Sequence, residues 1–125
     1  MRVNGLDHVN IRTEDISVAI RFYSELLDLT AGDVAAKLPP EKAQWLHDHN
    51  GKAIIHLFSA EGGKLGSTGP IHHIALNCSG KDEVLARLRA RKAEFKVNEM
   101  AAMKLTQIFT KDPYGILLEL NFIGE

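Results

Sequence analysis

The stretch Ile116-Leu117-Leu118-Glu119-Leu120-Asn121-Phe122 sets one carboxylate inside an apolar strand pattern near the end of the 125-residue chain. Side chains on a strand alternate between two faces. Leu118, Leu120 and Phe122 therefore share one face, and Leu117, Glu119 and Asn121 share the other. A buried carboxylate is costly unless it is paired or bound to a cation, so the reading of the chain turns on which positive group Glu119 meets. At an offset of 63, Ile55-His56-Leu57 repeats Leu118-Glu119-Leu120 with a histidine in the carboxylate's place.

Working outward from this pair, the sequence resolves into two copies of one pattern. Leu6 to Arg12 alternates as a strand, with Leu6, His8, Asn10 and Arg12 on one side. Thr13-Glu14-Asp15 supplies N-cap chemistry, and Ile16, Ala19, Ile20, Tyr23, Leu26 and Leu27 follow at helical spacing, predicting an amphipathic helix over 15–28. Strands are expected at Leu29–Val34, Ala43–His47 and Ala53–Phe58. The loop Ala35–Glu41 holds Pro39-Pro40 and cannot be strand interior, and Asp48-His49-Asn50-Gly51 is turn chemistry. Residues 59–70 hold four glycines and one proline, the composition of a flexible linker. The pattern then restarts: a strand at Ile71–Cys78 and a helix over Gly80–Lys92 with Val84, Leu85 and Leu88 inward. Strands follow at Glu94–Glu99, Lys104–Thr110 and Ile116–Phe122, the last two joined by the turn Asp112-Pro113-Tyr114-Gly115.

The repeat can be checked by subtraction. His8 falls on His73 at an offset of 65, as do Ala19, Ile20 and Tyr23 on Val84, Leu85 and Leu88. Asp48-x-x-Gly51 falls on Asp112-x-x-Gly115 at 64. Each half reads β-α-β-β-β, predicting an α+β protein in which one domain over 1–125 contains modules 6–58 and 71–123.

Composition limits the partners. Hydrophobic residues at 45% and charged residues at 25% suit a soluble globular chain with its own core. A formal net charge of -1 gives no basis for general nucleic-acid binding. The basic run Arg87-Leu88-Arg89-Ala90-Arg91-Lys92 is interleaved with apolar residues and reads as a solvated helix face. The single cysteine, Cys78, permits no intrachain disulfide, and a reducing cytoplasm is the simplest compartment. No apolar run approaches the roughly 20 residues that span a bilayer, and Met1-Arg2-Val3-Asn4-Gly5 has no signal-peptide core.

Four residues stand out when the halves are aligned. His8 and His73 hold one place in the first strand of each half; His56 and Glu119 hold one place in the last. Imidazole and carboxylate suit divalent Fe, Mn, Co, Ni or Zn, and two histidines with one carboxylate form the facial triad of non-heme iron. A lone strand histidine is more often a hydrogen-bonded core or rim residue than a ligand. Here the symmetric placement of His8, His73 and Glu119 favours a metal. His72 points away from His73 by strand parity, and His47 and His49 flank a turn and read as surface residues.

Leu6-Asp7-His8-Val9-Asn10-Ile11, Ile71-His72-His73-Ile74-Ala75-Leu76 and Asp112-Pro113-Tyr114-Gly115-Ile116-Leu117-Leu118-Glu119-Leu120 resemble the vicinal oxygen chelate superfamily over residues 6–122. That superfamily includes glyoxalases, extradiol dioxygenases, epimerases, fosfomycin-resistance thiol transferases and bleomycin-binding proteins. The resemblance implies two βαβββ modules forming a cupped, incomplete mixed β-barrel with helices outside, around one divalent metal (Fe, Mn, Ni, Co or Zn). It assigns metal ligation to His8, His73 and Glu119 by position. The fourth position falls on His56, as a further ligand or as an acid/base. It also implies a small-molecule substrate that chelates the metal through adjacent oxygens, and a homodimer, whose ligands in some relatives come from two chains. Asn10, Trp45, Gln107 and Phe109 are expected to line the cup, although Trp45 and Phe109, repeat equivalents at an offset of 64, equally suit barrel packing. A two-residue hairpin turn would set Ile108, not Gln107, opposite Glu119.

Glyoxalase-like lyase or isomerase chemistry leads among the activities, with Glu119 and His56 as the proton-moving groups. An extradiol-type dioxygenase is the alternative, since the ligand set permits it. A fosfomycin-type thiol transferase fits less well, because Asn10 stands where that family has Thr and Phe109 where it has Tyr. A bleomycin-type binding protein would usually lack the ligands that this chain retains.

Overall fold

The computed structural model describes residues 1–32, 39–60 and 62–125. The chain divides into two units, Met1–Gly66 and Ser67–Glu125. The first contains β1 (Val9–Thr13), α1 (Ile16–Leu27), β2 (Thr30–Gly32), β3 (Ala43–His47) and β4 (Ala53–Ser59). The second contains β5 (Ile74–Cys78), α2 (Lys81–Ala90), β6 (Phe95–Met100), β7 (Leu105–Lys111) and β8 (Leu117–Ile123), with a short 3-10 turn, Ala101–Met103, between β6 and β7. The strand orders correspond: β1-β4-β3-β2 in one sheet and β5-β8-β7-β6 in the other. In each, the first strand runs parallel to the last and the remaining pairs are antiparallel. The fold is therefore α+β, two βαβββ modules, each with its own mixed sheet. Among the described residues no strand pairing closes the two sheets into a barrel.

Local chemistry explains the elements. Asp15 caps α1, its Oδ1 accepting from the Ser17 backbone N–H at 2.9 Å, which satisfies a donor that the first helical turn leaves orphaned. Asp28 ends the helix in the left-handed region (φ 55°), where a short polar side chain is tolerated. Ile16, Ala19, Tyr23 and Leu26 are buried along one stripe of α1, and the helix packs on β3 and β4. The sheet positions that belong to this core are Ile11, Leu46, Ile55 and Leu57, all essentially inaccessible. At α2 no side chain of the N-cap Gly80 is available; instead the Glu125 carboxylate accepts from the Gly80 and Lys81 N–H groups, each at 3.0 Å.

The two hairpin loops are near-copies. Asp48 Oδ1 accepts from the N–H groups of Asn50 and Lys52, and Asp112 Oδ1 accepts from those of Tyr114 and Ile116. Gly51 and Gly115 donate back to the Asp48 and Asp112 carbonyls from φ +79° and +86°, a conformation that glycine adopts without strain. The five-residue loop 112–116 sets Phe109 opposite Glu119 and Ile108 opposite Leu120. A two-residue turn would shift that register by one and put Ile108 against Glu119, so the expectation based on it is corrected.

Three further expectations change. Strands β1 and β5 begin at Val9 and Ile74 rather than at Leu6 and Ile71, because pairing with β4 and β8 starts there. Leu6 and Ile71 are exposed and bury no face. His8 and His73 thus stand one residue ahead of their strands. The strand expected over Leu29–Val34 is Thr30–Gly32; Asp33 and Val34, most of the expected loop (35–38) and Glu61 of the linker lie outside the described residues. Leu85 is half-buried, while Val84 and Leu88 are fully buried.

Leu120, fully buried between Leu76 and Ile108 in register, should cost about 2–5 kcal/mol when cut to alanine, read from urea unfolding. Burial pushes the Cys78 thiol up from 9.0 to about 11. The thiolate fraction falls by the same two decades, so iodoacetamide at pH 8 should alkylate Cys78 about a hundredfold more slowly in the folded chain than in urea.

Candidate functional site

In the Met1–Gly66 unit, β4 carries His56 on the face opposite Ile55 and Leu57. Its parallel neighbour in register is Asn10 and its antiparallel neighbour is Trp45. The Trp45 and His56 rings are stacked, 3.8 Å between centroids and 4° from parallel. Phe58, two residues along the same face, meets the His56 ring edge-on at 4.5 Å. His8 stands edge-on to Trp45 at 4.8 Å and lies 6.2 Å from the His56 ring. Removal from water and, secondarily, the neighbouring His8 hold the His56 imidazole below its ordinary pKa of 6.5, so the ring is neutral near pH 7 with a lone pair to offer. Asn10 is exposed on this face.

His8 has a second partner. Its Nδ1 lies 2.6 Å from Asp7 Oδ2, and this hydrogen bond is the main cause that lowers the Asp7 carboxyl below its ordinary value. A carboxylate only accepts, so Nδ1 carries a proton and Nε2 is the ring nitrogen turned to other partners, the arrangement of a metal-binding histidine.

In the Ser67–Glu125 unit, Glu119 holds the position that His56 holds in the first. It is only 8% exposed. Its Oε2 lies 3.0 Å from His73 Nε2, and its Oε1 accepts from Gln107 Nε2 at 2.6 Å. Phe109 is directly opposite Glu119, as Trp45 is opposite His56. Gln107 is one step along the same face, opposite Asn121 on one side and Asn98 on the other. His72 is close to His73, Nδ1 to Nδ1 at 2.9 Å. Both precede β5, so strand alternation does not separate their rings, and the expectation that His72 turns away is corrected. One nitrogen of that pair donates and the other accepts.

The structure thus gathers the predicted residues in two sets: His8, Asn10, Trp45 and His56 on one sheet face, His73, Gln107, Phe109 and Glu119 on the other. Gln107, expected to line the cup, shares the face of Glu119 and is hydrogen-bonded to Glu119 and Asn98. Among the described residues no group of three or more His, Cys, Asp or Glu side chains is arranged to hold a metal ion; each unit supplies two such candidates. The donors themselves fit a divalent cation: a low-exposure carboxylate against an imidazole in one unit, a neutral imidazole and a tautomer-fixed one in the other. Beside Glu119, the buried Oδ1 of Asn121 meets no hydrogen-bond partner among the described residues, which leaves an acceptor on the same face. Asp7, Phe58, Asn98 and Asn121 went unnoticed as candidates in the sequence. Parity from Glu119 reaches Asn121, and cross-strand pairing reaches Asn98, once the hairpin register is known.

Two chemically matched βαβββ units, each with a His-containing polar face, define the class of fold. Residues 5–120 match the Glyoxalase/Bleomycin resistance protein/Dioxygenase superfamily, and the chain belongs to it. Solved structures agree at the level of fold. A virulence protein from Salmonella typhimurium superposes with TM-score 0.70 at 21% identity, over 98% of this chain and 99% of that one. The fosfomycin resistance protein FosX from Listeria monocytogenes gives 0.71 at 18%, over 97% and 94%. Lactoylglutathione lyase from Agrobacterium tumefaciens gives 0.69 at 16%, over 98% and 96%. No curated protein matches the chain. No helix among the described residues is long and apolar enough to cross a membrane.

His56 carries a pH prediction for the metal-free protein. Its folded pKa is the lower one, so as pH falls through 6.5 the unfolded chain takes up the proton first and the fold loses stability in acid. His56→Asn should flatten the fall in unfolding free energy between about pH 7 and 5, measured by urea titration at each pH; an unchanged slope would contradict the shift.

Proposed function

We propose that the chain is a metal-dependent enzyme of this superfamily with glyoxalase-like lyase or isomerase chemistry. The residues proposed to hold its divalent ion are His8, His73 and Glu119, with His56 as a fourth ligand or as an acid/base. The substrate would be a small molecule presenting two adjacent oxygens. The observation that carries the reading is Glu119: a carboxylate of low exposure whose Oε2 is turned to the His73 imidazole on a strand whose one other polar side chain is Asn121. When bound, the ion supplies Lewis acidity to the substrate oxygens.

The chain's own residues supply the rest. Asp7 holds His8 in the tautomer that offers Nε2. Trp45 fixes the plane of His56 and keeps water from one face of it. Glu119 Oε2 is the oxygen placed to take a proton from a substrate carbon and return it, since Oε1 is occupied by Gln107. In the acid/base role, the neutral His56 imidazole is a second proton acceptor. The same neutral imidazole beside a two-histidine, one-carboxylate set supports a second reading, extradiol-type oxygenation with Fe(II).

Isothermal titration of the wild-type chain with Ni(II), Co(II), Mn(II), Zn(II) and Fe(II) separates these. Glu119→Gln should weaken divalent-metal affinity by more than about a hundredfold, with the circular dichroism spectrum unchanged. Equal affinity in the two proteins would remove Glu119 as a ligand. Oxygen uptake on catechols with Fe(II) would select the dioxygenase reading, and a wild-type chain that recruits no divalent ion would select small-molecule sequestration.

A further inference from the structure

A row of hydrogen bonds crosses the sheet of the Ser67–Glu125 unit and ends on Glu119. Asn98 on β6 faces Gln107 on β7, and its Nδ2 donates to Gln107 Oε1 at 2.9 Å. Gln107 Nε2 donates to Glu119 Oε1 at 2.6 Å. Glu119 Oε2 is left toward His73 Nε2, 3.0 Å away. Chemistry fixes the direction of this row. A carboxylate accepts and never donates, so Gln107 must turn its amide nitrogen to Glu119. Its amide oxygen then faces Asn98, which can meet it only with its own amide nitrogen.

We propose that Gln107 is a positioning residue for Glu119, and that Asn98 sets the sense in which Gln107 works. Together they tie up Oε1 and leave Oε2 as the one carboxylate oxygen offered to a cation or to a proton in transit. The inference deepens the proposed role of Glu119 and rests on it. It also explains why Gln107 holds a position where a substrate contact would be expected: both ends of its amide are already engaged. Groups that hold a metal-binding side chain by hydrogen bonds from behind commonly govern affinity without touching the metal. A carboxylate that one donor holds has one open oxygen rather than two.

Two near-isosteric substitutions separate positioning from packing. Gln107→Met keeps volume and removes the donor. Asn98→Asp keeps shape and replaces the donor with an acceptor, which draws the Gln107 amide nitrogen away from Glu119. The negative charge added by Asn98→Asp would by itself strengthen cation binding, so the sign of the change decides. With Ni(II) or Co(II) alone as the titrant, Gln107→Met should bind about ten- to a hundredfold more weakly than wild type, and Asn98→Asp should also bind more weakly. Unchanged affinity in Gln107→Met, or unchanged or tighter binding in Asn98→Asp, would overturn the proposal. A readout on the metal-free protein stands apart from the proposed function. In carbon-13 glutamate-labelled protein, the Glu119 carboxylate band is assigned as the infrared difference between wild type and Glu119→Gln, and it should shift in Gln107→Met. An unmoved band overturns the positioning role. If wild type binds no divalent ion, the functional reading fails and the infrared difference still decides this one. Should Gln107→Met not fold, the substitution Asn98→Asp at an exposed position carries the same infrared test.

Discussion

The rest of the structure answers to one constraint, the presence of an acidic side chain on the largely buried strand β8. Leu118, Leu120 and Phe122 are inaccessible on one face of that strand, and alternation then forces Glu119 onto the other. A carboxylate so placed needs compensating donors or a cation. Both neighbouring strands respond. β7 brings Gln107 to one oxygen, and the residue just ahead of β5 brings His73 to the other. Neither contact exists unless β8 sits between β5 and β7 in this register. The energetics of one side chain and the topology of the sheet are therefore the same problem.

Register is what converts sequence spacing into geometry here, and the hairpin loops set it together with a shift in the β3–β4 ladder. Asp48 and Asp112 each fold a five-residue loop around one side-chain oxygen. In the second unit the loop alone leaves Phe109 opposite Glu119; in the first, a register shift between Leu46 and His47 is added before Trp45 meets His56. Because strand alternation has a period of two, a loop one residue shorter would move every partner to the other face. The aspartates at the loop corners thus bear on the site although neither touches it.

This also explains what was legible in the sequence. The two modules, their helices and the four residues His8, His56, His73 and Glu119 follow from apolar periodicity and a repeat at nearly constant offset, both local signals. The chemistry of Gln107 was not legible, since its face depends on a loop whose length in backbone terms exceeds the obvious Pro113-Tyr114 turn. His72 was misjudged for a related reason. Alternation applies only inside a strand, and Ile71-His72-His73 precedes the first residue of β5 that pairs with β8. Asn98 was invisible because its significance arises only across two strand pairings.

The duplicated framework then treats its two special side chains by different physics. His56 is a ring that is neutral near pH 7, so an aromatic neighbour can cover it; Trp45 does so in a coplanar stack, and the loss of water that follows keeps it neutral. Glu119 carries a charge that a flat apolar partner alone would leave unsatisfied, and the polar Gln107 and Asn98 supply the donor row. Their repeat counterparts by subtraction of 64 are Ala43 and Val34, which offer no side-chain donor. A module that carries an imidazole at this position does well with an apolar surround; one that carries a carboxylate needs an amide behind it. At these positions the two halves differ in step with the charge they hold, and the polar residues around Glu119 follow from that charge rather than from the shared fold.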